Sequence, residues 1–221
     1  NWASESETDI IKIASCSAND WPLLEEASSL NKPIVASTGG LNLESIDNLV
    51  SFFRHRAVNF SLMHCISVYP TNPKDCNLSF INTLKKRYPE LSIGWSTHEP
   101  PINTDLVISA ITAGADLLER HICLPEEGKP QNAYSSTPEE LQNWLHKIDN
   151  THQILGSPNI SQREEEKQSI NLLSRGVYAK SNIKKGEIIC KDNVYYAFPL
   201  ISKNQHTSST IKFPSYAIQN I

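Results

Sequence analysis

The chain has 221 residues, 39% of them hydrophobic and 20% charged, with a formal net charge of -4. This is the composition of an ordinary globular protein, and it excludes collagen-like, low-complexity and disordered classes. Lysine and arginine are scattered, no apolar run approaches the roughly 18–20 residues that cross a bilayer, and no charged-then-apolar leader opens the chain, so neither a nucleic-acid nor a membrane partner is expected.

Five short apolar runs follow in chain order: "DIIKIAS" (9–15), "PIVAST" (33–38), "FSLMHC" (60–65), "SIGWST" (92–97) and "LLERHI" (117–122). Each is followed by a segment with apolar residues at helical intervals: "WPLLEEASSL", "LESIDNLVSFFRHR", "LSFINTLKKRYPE", "INTDLVISAITAGAD" and "STPEELQNWLHKIDNTHQILG". The spacing is that of βα units of about 30 residues, which predicts an α/β fold with a parallel sheet covered by helices. Polar residues fall at the C-terminal end of every strand: Lys12 and Ser15, Ser37 and Thr38, His64, Ser96 and His98, Glu119 and His121. A (β/α)8 TIM barrel builds its site from several strand ends, whereas an open sheet uses mainly one switch point, so the barrel is favoured. Five units are fewer than eight, and a start at Asn1 rather than Met adds to the expectation of a fragment that lacks three N-terminal units.

Residues 157–174 are polar and read as a linker or an exposed helix, and "RGVYAKSNIKKGEIICKDNVYYAFPL" places Lys-Lys-Gly at a turn between two β-rich runs, which marks a change of domain. The expected division is 1–156, a linker at 157–174, and a small β-rich unit at 175–221. The last stretch, from residue 200 onward, has no usable periodicity. The five cysteines, Cys16, Cys65, Cys76, Cys123 and Cys190, are odd in number and widely spaced, as reduced thiols in a cytoplasmic protein would be.

Strand side chains alternate faces, so Ser96 and His98 point one way, as do Glu119 and His121. Two imidazoles beside a carboxylate offer a site for a divalent ion such as Mn²⁺ or Zn²⁺, against the plainer reading of paired core histidines. Lys12 is either an anion-binding group at the mouth or a structural ion-pair partner. Ser15, Ser37, Thr38 and Ser96 would add hydroxyl donors, and the "STGG" loop would add backbone N–H groups at a helix start, all suited to phosphate or carboxylate. His64 and Cys65 are sequence neighbours on opposite faces and cannot form a nucleophile–base pair.

Taken in order, "KIAS", "PIVASTGG", "HCISVYPT", "GWSTHE", "LLERHICL" and "NIKKGEII" resemble the sialic acid synthases, which condense phosphoenolpyruvate with an N-acylmannosamine-type sugar. The resemblance implies barrel strands four to eight, followed by the start of an antifreeze-like (SAF) domain that caps a partner subunit's site in a domain-swapped homodimer. It further implies His98 and His121 as ligands of Mn²⁺ or Mg²⁺, and Glu119 as a catalytic acidic residue. Lys12, Ser15, Ser37, Ser67 and Ser96 match phosphoenolpyruvate-holding positions, and Tyr69 and Asn132 fall where the amino sugar is contacted. The chain departs from the family pattern at Cys16 and Ser17, where Gly-Glu is usual, at Thr97, where Asp is usual, and at Asn132, where an acidic residue is expected. These departures leave room for a changed acceptor sugar or for a non-catalytic relative that uses the fold for binding or assembly. A third possibility is a metal-dependent barrel aldolase that uses pyruvate.

Overall fold

A computed structural model describes residues 8–126, 130–202 and 205–221, so the start at Asn1 lies outside it. The chain forms two compact units, Asn1–Gly156 and Ser157–Ile221. In the first, strands β1 (Ile11–Ile13), β2 (Ile34–Ser37), β3 (Phe60–Cys65), β4 (Ile93–Thr97) and β5 (Leu117–Arg120) make one sheet in the order β1-β2-β3-β4-β5. Every pairing in it is parallel. Helices α1 (Trp21–Ser29), α2 (Leu43–His55), α3 (Ser79–Arg87), α4 (Asp105–Thr112) and α5 (Pro138–Leu155) connect and follow the strands.

Local chemistry sets the helix ends. The carboxylate of Asp20 accepts from Leu23 N at the start of α1, and Asn42 Oδ1 accepts from Ser45 N at the start of α2. Thr137 and Glu140 form a reciprocal capping box ahead of α5, and Pro138 takes the first turn, where no N–H is needed. Between these ends the apolar stripes predicted from sequence are buried against the sheet: Leu24 and Ala27 from α1, Ile46, Leu49, Val50 and Phe53 from α2, Ile81 and Leu84 from α3, and Val107, Ala110 and Ile111 from α4. Phe53 packs on Phe60 of β3 with ring centroids 5.0 Å apart.

The sheet is curled. Lys12 on β1 and Glu119 on β5 belong to its opposite edge strands, yet their charged atoms lie 3.3 Å apart. A flat sheet would hold those strands about 19 Å apart at ordinary strand spacing. The ion pair therefore spans the hollow of a half-barrel. Gly94 on β4 reflects the same crowding, since a Cβ there would sit 2.3 Å from Met63 Sδ and 2.7 Å from Leu117 Cβ and the Leu117 carbonyl oxygen.

His64 points to the helical side of β3, where its Nε2–H donates to the Cys76 carbonyl at 2.8 Å and its ring meets Phe80. Burial holds its pKa below the ordinary 6.5. The unfolded chain then binds the extra proton first, so this contribution to stability is complete above the unfolded value and is lost as pH falls below it. We expect the urea midpoint to drop between neutral and mildly acid pH, and the drop to shrink in His64→Gln.

The second unit contains α6 (Glu164–Leu172), β6 (Gly176–Ala179), β7 (Ile188–Ile189), β8 (Val194–Ala197) and β9 (Ser215–Tyr216). Helix α6 lies inside the segment read as linker or exposed helix, and three glutamates in its first turn suit the positive end of the helix dipole. Strands β6–β8 and β7–β9 pair antiparallel. The Lys184-Lys185-Gly186 turn joins β6 to β7, with Gly186 at φ 87°. The tail without periodicity is fixed by backbone pairing, with β9 on β7 and Ile221 exchanging both hydrogen bonds with Ile183. No helix among the described residues is long and apolar enough to cross a membrane.

Candidate active site

Polar strand ends meet at one mouth of the half-barrel, with the exception of His64, which is turned to the helices. Lys12 Nζ donates to Ser37 Oγ at 2.8 Å and to its neighbour's carbonyl, Ile13 O, at 3.3 Å. Its charge faces Glu119 Oε2, a buried atom that accepts no hydrogen bond. Lys12 is thus an ion-pair partner whose ammonium also holds the Ser37 hydroxyl.

Beside it, Gly39 N donates to Ser15 Oγ at 3.0 Å. A Cβ on Gly39 would lie 2.3 Å from Ser67 Oγ, 2.8 Å from Ser15 Oγ and 3.1 Å from Cys65 Sγ, so two serine hydroxyls and a thiol crowd over this backbone. Gly39→Ala is expected to cost about 1–3 kcal/mol through overpacking, read as a lower urea midpoint. Two expectations about this loop need correction. Helix α2 begins only at Leu43, so "STGG" is a turn ahead of the helix and not its N-terminus. Thr38 Oγ1 is spent on the Met63 carbonyl at 3.1 Å, because the chain has to turn away from β2 there.

His98 and His121 follow β4 and β5, whose register sets Ser96 opposite Glu119. Their ring centroids are 5.2 Å apart. His98 Nδ1–H donates to the Ile66 carbonyl at 3.0 Å, which fixes the tautomer and leaves the Nε2 lone pair free; Cys65 Sγ lies 3.8 Å from the same Nδ1. Burial first, and His121 in addition, hold His98 below its ordinary pKa, so the ring is neutral, as a metal ligand must be. A ligating histidine normally gives its other N–H to a carbonyl or carboxylate in this way. The pair therefore fits two positions around a divalent ion, although no group of three or more His, Cys, Asp or Glu suited to a metal occurs among the described residues.

Aromatic rings wall this pair. Tyr69 lies 4.1 Å from the His98 ring centroid, and Tyr134 lies 5.2 Å from His121 and 5.3 Å from Tyr69. Asn132, by contrast, spends its side-chain oxygen on Tyr134 N and Ser135 N, at 3.0 and 2.8 Å. It shapes the turn that delivers Tyr134 to the cluster. Sequence reasoning did not single out Tyr134, whose only signal was an aromatic in a loop close to the final strand. Of the positions that depart from the family pattern, Cys16 is exposed, whereas Thr97 is buried opposite Arg120 on the helical side.

A curled parallel sheet with its polar groups at the strand C-terminal ends is the arrangement of α/β-barrel active sites. A family model described as the NeuB family matches residues 2–159, and the chain belongs to that family. It is 40% identical over 134 residues to the N-acetylneuraminate-9-phosphate synthase of Drosophila melanogaster, covering 60% of this chain and 36% of that protein. It is 30% identical over 189 residues to the N,N'-diacetyllegionaminic acid synthase of Campylobacter jejuni, covering 84% and 56%. A solved structure from Chromobacterium violaceum, provisionally named a spore coat polysaccharide biosynthesis protein E, superimposes with a TM-score of 0.88 at 38% identity, over 96% of this chain and 64% of that one. The chain thus spans roughly a third to just over half of the length of these two curated relatives.

Proposed function

We propose that the protein condenses phosphoenolpyruvate with an N-acylmannosamine-type or related aldose, giving a sialic-acid-like nonulosonate and inorganic phosphate. The observation that carries this reading is convergence: the Lys12–Ser37 pair, the Ser15–Gly39–Ser67 cradle and the His98–His121 pair lie on or just after successive strands of one curled sheet. An anion-holding group and a nitrogen donor pair are thereby set side by side.

In this reading Lys12, Ser15, Ser37, Ser67 and Ser96 hold phosphoenolpyruvate, because an ammonium and several hydroxyls suit its carboxylate and phosphate. His98 and His121 would hold Mn²⁺ or Mg²⁺, which when bound supplies Lewis-acid polarisation of an aldehyde. Tyr69 flanks the acceptor, and Asn132 contributes through the turn it builds. Glu119 takes a proton from the water that adds at C2 of phosphoenolpyruvate and passes it to the aldehyde oxygen, which becomes a hydroxyl as C3 bonds to the aldehyde carbon; C2 then becomes a ketone as phosphate leaves with its bridging oxygen and the second water proton. The five strands then correspond to barrel strands four to eight, the polar stretch after Gly156 to a linker, and the second unit to part of an SAF domain in a domain-swapped, cytoplasmic homodimer. The two curated relatives carry different nonulosonates in their names, so they support a class of acceptor and not one sugar.

The test is phosphate release from phosphoenolpyruvate by the intact protein with Mn²⁺, across a panel of N-acylmannosamines and other aldoses. Release that requires both metal and one sugar supports the proposal. A folded, metal-binding protein that releases none with any sugar points instead to a relative that only binds or assembles.

A further inference from the structure

Behind the mouth, on the helical side of β5, lies a buried charge that the reaction does not use. The side chains of Arg120 and Glu99 are 2% and 1% exposed, and Arg120 Nη1 donates to Glu99 Oε1 at 2.6 Å. The same guanidinium donates through Nη2 to the Glu99 backbone carbonyl at 3.2 Å and through Nε to Ser136 Oγ, and it lies 6.0 Å from the Trp144 ring of α5. Each of the three hydrogen bonds reaches a segment that carries a site residue. Glu99 directly follows His98, Arg120 stands between Glu119 and His121, and Ser136 lies two residues after Tyr134. Ser136 also bonds directly beside His121: its N–H donates to the His121 carbonyl and its carbonyl accepts from Cys123 N, both at 2.9 Å.

We infer that Arg120 is the positioning residue of the site: one planar, permanently charged fork sets the spacing of His98, His121 and Tyr134 from the rear. The inference rests on the reading of the two histidines as ligands. A guanidinium can satisfy a carboxylate, a carbonyl and a hydroxyl in three fixed directions, and a lysine ammonium cannot reproduce that fork. Buried, with Glu99 as counter-charge, it holds each segment in a single arrangement. Groups one shell behind metal ligands commonly alter metal affinity in this way.

The experiment uses the intact protein and compares wild type, Arg120→Lys, Ser136→Ala and His98→Ala by titration with Mn²⁺ followed by electron paramagnetic resonance. Proximity of the His98 and His121 rings is read in parallel from the NMR cross-peak between their ring protons in histidine-labelled protein. Arg120→Lys keeps the charge and is expected to fold, with Mn²⁺ affinity about 10–100-fold weaker and no cross-peak between the two rings. Ser136→Ala, which removes one tie, should show a smaller change in the same direction and serves if Arg120→Lys fails to fold. Unchanged affinity together with an undiminished cross-peak in a folded variant would overturn the inference. If wild type and His98→Ala bind Mn²⁺ equally, the ligand reading falls, and the cross-peak still decides whether Arg120 positions the histidines.

Discussion

Replacing His98 by alanine is expected to lower metal-dependent phosphate release by more than about a hundredfold, since even outer partners of metal ligands cost about 10–100-fold. Three features of the site lead to this size of effect. The ring is buried, its Nδ1–H is committed to the Ile66 carbonyl so that Nε2 is left free, and the His121 ring centroid lies 5.2 Å away. Alanine removes that donor and leaves the Ile66 carbonyl without it, so a modest loss of stability of about 1 kcal/mol should accompany the change. The check is a pair of measurements on one preparation: steady-state phosphate release at saturating phosphoenolpyruvate, and the thermal midpoint without metal. A large activity loss with a small shift in midpoint separates a ligand from a packing histidine. If activity stays within a few-fold of wild type, His98 is a core residue and the site is elsewhere.

The second large effect is on stability. Glu99→Ala is expected to destabilise the protein by about 3–5 kcal/mol, because it leaves the Arg120 guanidinium buried without a counter-charge. Burial raises the Glu99 carboxyl above its ordinary pKa, and the Arg120 guanidinium opposes that shift. Removing both charges behaves differently: Glu99→Leu combined with Arg120→Met should recover most of the lost stability, since apolar pairs of similar volume replace buried ion pairs at little cost. Urea unfolding of the single and double variants measures the difference. Equal destabilisation of both would mean that packing, and not the uncompensated charge, sets the penalty.

Features that depend on near neighbours could be read from the sequence. "FSLMHC" forms a strand over the predicted residues, and the other four strands lie inside their predicted runs, because an apolar run bounded by turn residues is a local signal. Polar residues at strand ends marked Lys12, Ser37, His98, Glu119 and His121, and the period-two alternation of strands put Glu119 and His121 on one face. The alternation that sets Glu119 and His121 on one face leaves Arg120 on the other, but its partner Glu99 comes from a loop whose path no periodicity specifies. Tyr134 was missed because the Asn132 turn that delivers it depends on hydrogen bonds to its own backbone. Thr38 was misread because a hydroxyl at a strand end can face the mouth or cap a neighbouring carbonyl, and only the chain's turn after β2 decides.

The central claim is that carbon–carbon bond formation at this mouth is coupled to breaking the C–O bond of phosphoenolpyruvate. The most direct measurement supplies phosphoenolpyruvate carrying oxygen-18 in the bridge between C2 and phosphorus, with metal and the acceptor that supports release, and weighs the phosphate formed. The account predicts that the heavy oxygen leaves in inorganic phosphate, in step with a new ulosonate. Phosphate free of the label would mean attack at phosphorus and a different reaction at this site.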